Sequence, residues 1–318
     1  MSRTRTPHWT ADAIPDLTGR IHVVTGATSG LGLATTRALA LRGGRVILAV
    51  RDEEKGRRTV AALTADGVPP DLLTVRRVDL ADLDSVRAFA EGVRADHPRL
   101  DVLVNNAGVM GPPHTLSAQG HELQFAANHL GHFALTGLLL DRLPADGRVV
   151  TVSSLMHRRG TLPLADPADP AALTGARDYA PMPFYSRSKL ANAVFGHELH
   201  RRLTAVGSGV RSILAHPGYT ATGLQTRDIT GFSRFFYSRI GNPLLAQRPE
   251  RGVLPQLYAA TAPDAAGGDF IGPDGLGELR GHPTRVEPSA TAADPETGRR
   301  LWDLSEELTG VRYGLTAS

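Results

Sequence analysis

The chain predicts an α/β fold: one domain built on a doubly wound parallel sheet. Short strand-like runs alternate with helix-length patterns from residue 21 to residue 152, which calls for βαβ units. A glycine-rich turn joins the first strand pattern to the first helix pattern. The 318 residues suffice for one large core, and neither a repeat nor a linker sets off a second domain.

The first strand, residues 21–24, ends in Thr25-Gly26-Ala27-Thr28-Ser29-Gly30-Leu31-Gly32. Glycines there let the backbone approach a pyrophosphate, which the free N–H groups of a helix N-terminus can hold. The spacing Gly-x-x-x-Gly-x-Gly differs from the commoner Gly-x-Gly-x-x-Gly, and no lysine follows as a P-loop needs. Taken alone it is also simply a turn. The second strand, residues 45–50, ends at Val50 and is followed by Arg51 and Asp52. An acidic residue at the end of this strand suits a ribose 2′-hydroxyl, and an arginine suits a 2′-phosphate. Arg51 therefore favours NADP(H) over NAD(H), the alternative being that Arg51 and Asp52 form a solvated loop.

A third strand, residues 72–78, leads to Asp79 and Leu80. Asp79 can accept from an adenine amino group or cap the helix that follows from Asp82 to about His97. The strand 101–104 runs into Asn105-Asn106-Ala107-Gly108, and a helical run over 117–143 carries Asn128 in its middle. The strand 148–152 closes on Ser153 and Ser154. Residues 185–203 then read as a helix with Leu190, Ala193, Val194 and Leu199 apolar. Tyr185 and Lys189 are four apart, so they share a face. A free phenol has a pKa of about 10, and a fixed cation beside it favours the phenolate and brings the group into the range of general acid–base work. Arginine supplies almost all of the positive charge, the only lysines being Lys55 and Lys189.

Composition narrows the classes. The net charge is +3 and the arginines are scattered, which speaks against a nucleic-acid partner. The absence of cysteine excludes disulfides, thiolate catalysis and cysteine-ligated zinc, and no metal is expected. Residues 1–18 are polar and broken by Pro7 and Pro15, and apolar runs such as 133–140 are too short to span a membrane. The expectation is a soluble, cytoplasmic protein.

The ordered set of Thr25 to Gly32, Asp79-Leu80, Asn105 to Gly108, Asn128, Ser153-Ser154, Tyr185-x-x-x-Lys189 and Pro217-Gly218 resembles the short-chain dehydrogenase/reductase family over about residues 18–225. Residues 121–155 and 294–313 further resemble its retinol-dehydrogenase-like branch. The resemblance implies a Rossmann-type sheet and a catalytic set of Asn128, Ser154, Tyr185 and Lys189. Tyr185 would exchange a proton with the substrate oxygen, Ser154 would hydrogen-bond that oxygen, and Lys189 would hold the nicotinamide ribose and lower the phenol pKa. Asn128 would hold a water linking Lys189 to solvent. Cofactor contacts are implied for Gly26, Thr28, Ser29, Gly30, Leu31, Gly32, Arg51, Asp79, Leu80, Asn106, Ala107, Gly108, Tyr185, Lys189, Pro217, Gly218, Thr220 and Thr222. The helices around Asn128 and Tyr185 form dimer interfaces in many relatives, which implies a homodimer.

Two stretches depart from the plain family pattern. A proline- and aspartate-rich segment separates Ser154 from Tyr185 and is expected to border the substrate pocket. Residues 231–240 gather Phe232, Phe235, Phe236 and Tyr237, read as a lid over an apolar substrate, with a packed helix or a membrane-surface contact as alternatives. Residues 226–318 are then a substrate lid and C-terminal extension on the 18–225 core. The expected activity is NADP(H)-dependent interconversion of a carbonyl and an alcohol on a lipophilic small molecule. A non-catalytic nucleotide-binding scaffold would keep the glycines and lose Tyr185 or Lys189, and both are present. An epimerase or dehydratase on this fold is the other alternative.

Overall fold

The structure, a computed structural model, describes residues 8–162, 164, 170–220 and 247–315. Its strands are β1 (Ile21–Thr25), β2 (Arg45–Val50), β3 (Leu73–Arg77), β4 (Val102–Asn105), β5 (Arg148–Val152), β6 (Arg211–Ala215), β7 (Phe270–Pro273) and β8 (Pro283–Arg285). They form one sheet in the order β3-β2-β1-β4-β5-β6-β7-β8, parallel except for the last pair. The order reverses between β1 and β4, and a sheet opens a crevice for a ligand at the carboxyl ends of strands where its order reverses. Every residue of β4 and β5 is buried, as expected for strands covered on both faces. Alternate strand residues feed two cores. Val23, Ile47, Leu103 and Val149 face one, and Val24, Leu48, Val104 and Val150 the other.

Helices α1 (Gly30–Ala40) and α2 (Glu53–Ala65) cover the second of these faces, and α3 (Leu83–Asp96) the first. Asp52 caps α2 by accepting from the Lys55 amide, and Asp82 caps α3 by accepting from that of Asp84. Asp79 is therefore not the cap of α3; its carboxylate accepts from the Ala81 amide in the turn before it. Helix α4 is continuous through Leu123–Phe125, a π-helical stretch Ala126–Leu130, and Gly131–Leu139. Helix α5 (Pro181–Ala205) begins four residues before the expected Tyr185, with proline in its first turn.

The Gly-, Pro- and Asp-rich stretch after Ala262 supplies β7 and β8. Before it, α6 (Leu254–Thr261) packs on the face of β5, β6 and β7. The terminal helix α7 (Pro295–Thr309) starts after Asp294, which caps it by accepting from the Thr297 amide. Thr222, the 231–240 stretch and residues 163 and 165–169 of the segment before Tyr185 lie outside the described residues. Among the described residues no helix is long and apolar enough to cross a membrane.

Helix α7 lies against α4 and α5. Trp302 sits 5.1 Å from Phe133 of α4 and 6.0 Å from Phe195 of α5, between ring centroids. Tyr313 stacks in beside Trp302 at 4.4 Å and donates its hydroxyl to the Phe133 carbonyl at 2.6 Å. In consequence no residue of 122–139 or 184–203 is exposed. Helix α7 and Tyr313 of the same chain cover part of the surface through which a homodimer is expected. Melting the protein over a hundredfold concentration range should leave its midpoint unchanged, whereas a dimer through α4 and α5 would raise the midpoint with concentration.

Candidate active site

The nucleotide side of the site is built from the end of β1. Thr25 accepts the amides of Asn106 and Ala107 on its hydroxyl, each at 2.9 Å, and the Asn106 side chain donates to the Thr25 carbonyl at 2.8 Å. The turn after β1 is thereby fixed to the turn after β4. Gly26 (φ +69°) and Gly30 (φ +52°) adopt left-handed conformations that a side chain would strain. A Cβ at Gly32 would lie 2.3 Å from the Gly26 carbonyl oxygen, so only glycine fits beneath the turn. Ser29 opens α1 without a side-chain cap, and the first amide bonded back within the helix is that of Leu33. The amides of Gly30, Leu31 and Gly32 thus form an anion cradle that fits a dinucleotide pyrophosphate. Thr28 is half-buried beside it.

Arg51 is exposed and makes no hydrogen bond or ion pair among the described residues; its neighbour Asp52 faces the α2 amides instead. Leu80 is buried, and its carbonyl backs onto Gly131 of α4.

The catalytic side is carried by α4 and α5. Asn128 sits in the π-helical stretch, a distortion often found at functional sites. Its Oδ1 accepts from the Val109 amide at 2.7 Å, and its Nδ2 donates to the Val109 carbonyl and to Ser188 Oγ, both at 2.9 Å. Ser188 in turn donates to the Tyr185 carbonyl at 2.8 Å. Asn128 is therefore a clamp between the loop after β4 and the catalytic helix. Both of its N–H groups are taken, which leaves the implied water-holding role only a lone pair of Oδ1. Lys189 Nζ donates to the Val152 carbonyl at 3.1 Å, and Ser153 donates to the Lys189 carbonyl at 2.7 Å. A Cβ placed on Gly108 would lie 3.3 Å from Asn128 Oδ1 and 3.6 Å from Lys189 Nζ, so these three residues converge.

The Ser154 hydroxyl stands near enough to the Tyr185 phenol to favour its ionised form. Burial pushes the Tyr185 phenol up to about 12, with the Ser154 hydroxyl pulling the other way. Burial also brings the Lys189 ammonium down to about 8. The expectation that Lys189 lowers the phenol pKa is corrected here. Nζ stands 5.8 Å from the centre of the tyrosine ring and is bonded to a backbone carbonyl, and burial sets the direction of the phenol's shift. The phenol is held in its protonated, donating form.

Pro217 and Gly218 follow β6, as the motif order expects. Thr220 is buried, donates its hydroxyl to the Pro217 carbonyl at 2.8 Å and packs on Gly252.

Sequence reasoning missed two supports. Gln124 accepts from the Gly111 amide at 2.9 Å and donates to the Pro181 carbonyl at 3.0 Å, which joins the loop after β4 to the start of α5. His132 bonds to the Asn128 carbonyl through Nδ1 and to Thr25 Oγ1 through Nε2, both at 2.9 Å. Because a carbonyl can only accept, Nδ1 carries the proton and Nε2 accepts from Thr25, while burial lowers His132 to about 4 and keeps it neutral. The two cofactor-side turns and the catalytic helices thus share one buried network. A polar residue inside an apolar helix was the available signal for both.

Comparison with known proteins agrees with this geometry. A family model described as short chain dehydrogenase matches residues 20–163. Human retinol dehydrogenase 12 is 38% identical over 303 residues, spanning 93% of this chain and 88% of the relative. Mouse polyprenol dehydrogenase is 39% identical over 307 residues, spanning 95% and 87%. A solved structure of an uncharacterized protein from Mycobacterium paratuberculosis superposes with a TM-score of 0.78 at 42% identity, covering 96% of this chain and 99% of that one. A short chain dehydrogenase from Burkholderia cenocepacia, solved in complex with NADP, shares the fold at a TM-score of 0.61 and 23% identity, covering 80% and 96%. The chain belongs to the short-chain dehydrogenase family of oxidoreductases, in its retinol-dehydrogenase-like branch.

Proposed function

We propose that the protein is an NADP(H)-dependent oxidoreductase that interconverts a carbonyl and an alcohol on a lipophilic small molecule. The observation that carries this reading is the convergence of Asn128, Lys189 and Gly108 beside the buried Tyr185, with Lys189 Nζ 5.8 Å from the tyrosine ring. The apolar alcohols in the names of the retinol and polyprenol dehydrogenases support the lipophilic substrate class.

The amides of Gly30, Leu31 and Gly32 hold the pyrophosphate, and Arg51 pairs its free guanidinium with a 2′-phosphate. Asn106, Ala107 and Gly108 line the ribose side, with Asp79 near the adenine. The bound nicotinamide supplies or takes up the hydride. Ser154 fixes the substrate oxygen through its hydroxyl, and Tyr185 gives that oxygen its proton in reduction or removes one in oxidation. Lys189, charged below about 8, holds the ribose hydroxyls. Burial of this group keeps bulk water from the reacting atoms.

Titrating the purified protein with NADPH and NADH, then assaying a panel of apolar aldehydes and ketones, tests the proposal. Selective NADPH binding with carbonyl reduction is expected; failure to bind either cofactor would sink it. Arg51→Ala should weaken NADPH binding by about 10- to 100-fold, the worth of a hydrogen bond to a charged group, and leave NADH unchanged. Equal losses for the two cofactors would show that Arg51 does not read the phosphate.

A further inference from the structure

We propose that Glu278 is a positioning residue that locks together the two loops flanking the reaction centre, the turn after Ser154 and the loop from His216 to Thr220. The inference rests on the site assignment above and concerns a residue outside every motif of the chain.

Glu278 lies in the connection between β7 and β8. Its Oε1 takes a hydrogen bond from Arg158 at 2.6 Å, and its Oε2 takes one from His216 Nε2 at 3.0 Å. Arg158 belongs to the short 3-10 turn Leu155–Arg159 that leaves Ser154. His216 immediately precedes Pro217 and is fully buried. The Gly218 amide points at His216 Nδ1 at 3.2 Å, so that nitrogen accepts and the proton sits on Nε2, aimed at the carboxylate. The same stretch reinforces the tie through its backbone. The Leu279 carbonyl accepts from the Tyr219 amide at 2.8 Å, and the Ser289 amide donates to His157, whose other nitrogen holds the Ser154 carbonyl at 2.7 Å.

The backbone shows that the side chain matters. Glu278 has φ +57°, and no other non-glycine among the described residues has a positive φ. Glycine would adopt this conformation without strain, and Gly277 beside it does so. A glutamate held there indicates that the surrounding structure over-determines it. Its carboxyl is drawn down to about 2 by His216 and Arg158, so it is ionised throughout the working range.

Glu278→Gly is the decisive variant, because it relieves the backbone while removing both bonds and should therefore fold. Amide hydrogen exchange in 155–159 and 216–220 should accelerate about tenfold, with exchange in β1 and β4 unchanged. Turnover of an apolar carbonyl should fall about 10- to 100-fold, mainly in kcat, as reacting groups lose their alignment. Glu278→Gln, which keeps an acceptor for His216 but loses the charge facing Arg158, should fall between. Wild-type exchange in Glu278→Gly, or faster exchange with undiminished kcat, would overturn the proposal. A wild-type protein that turns over no carbonyl or alcohol would instead reject the assigned function, and the exchange measurement would still decide whether Glu278 makes the tie.

Discussion

Replacing Tyr185 with phenylalanine is expected to lower kcat by about 10²- to 10⁴-fold, the usual contribution of a positioned acid or base. Cofactor affinity should stay unchanged, because the ring remains and only the hydroxyl is lost. The expected loss corresponds to roughly 3–5 kcal/mol of barrier at about 1.4 kcal/mol per decade. Stability should move far less, by about 1 kcal/mol, since only one hydroxyl is lost and an apolar ring suits the buried position better than a phenol. Single-turnover kinetics, cofactor titration and thermal melting separate the three quantities. A variant with wild-type kcat would remove Tyr185 from the mechanism. One that lost cofactor binding as well would show the phenol to be structural.

Gly32→Ala should abolish useful cofactor binding while the protein still folds. Helix propensity argues the other way, since alanine in place of glycine inside a helix gains about 1 kcal/mol. Space decides the sign. The new methyl would stand 2.3 Å from the Gly26 carbonyl oxygen and 2.6 Å from Asn106 Nδ2. Neither neighbour can yield freely, because Gly26 is in the turn itself and Asn106 is bonded to the Thr25 carbonyl. Overpacking of this kind costs about 1–3 kcal/mol, and relief requires the turn to lift away from α1. That lift moves the amides that cradle the pyrophosphate, so affinity should fall about tenfold or more for each 1.4 kcal/mol of lost contact. Fluorescence titration with NADPH checks it, and unchanged affinity would show that the turn does not hold the cofactor.

The first five strands and the motif residues were legible because their signals are local. A β-branched run ending in Thr25-Gly26 reads the same in isolation as in the sheet, and Tyr185 and Lys189 share a face through helix geometry alone. Strands β7 and β8 were not legible. Phe-Ile-Gly-Pro and Pro-Thr-Arg are short and carry proline; the first becomes a strand because β6 offers an edge, and the second because β7 then does. The start of α7 was visible in principle, in Asp294 followed by Pro295 at the first helical position. Local chemistry also misled over Tyr185, where spacing suggested a phenol lowered by its lysine and burial raises it instead. Glu278 had no local signature, since its meaning lies in residues 120 and 62 positions away.

The aromatic seam between α7 and the helices of Asn128 and Tyr185 has a bearing on how the molecule comes into being. A nascent chain synthesised as far as Thr220 already contains the cofactor turn and all four catalytic residues. It still leaves Phe133 and Phe195 without Trp302, and His129, next to Asn128, without the Ser305 hydroxyl it meets at 2.8 Å. The candidate reaction centre is encoded by residue 220 and closed from behind by residues made later, from about 295 to 313. During that interval the exposed apolar faces are open to chaperones and to aggregation. Closure of the site from behind therefore waits for Trp302 and Ser305 and is not complete when the motif residues emerge.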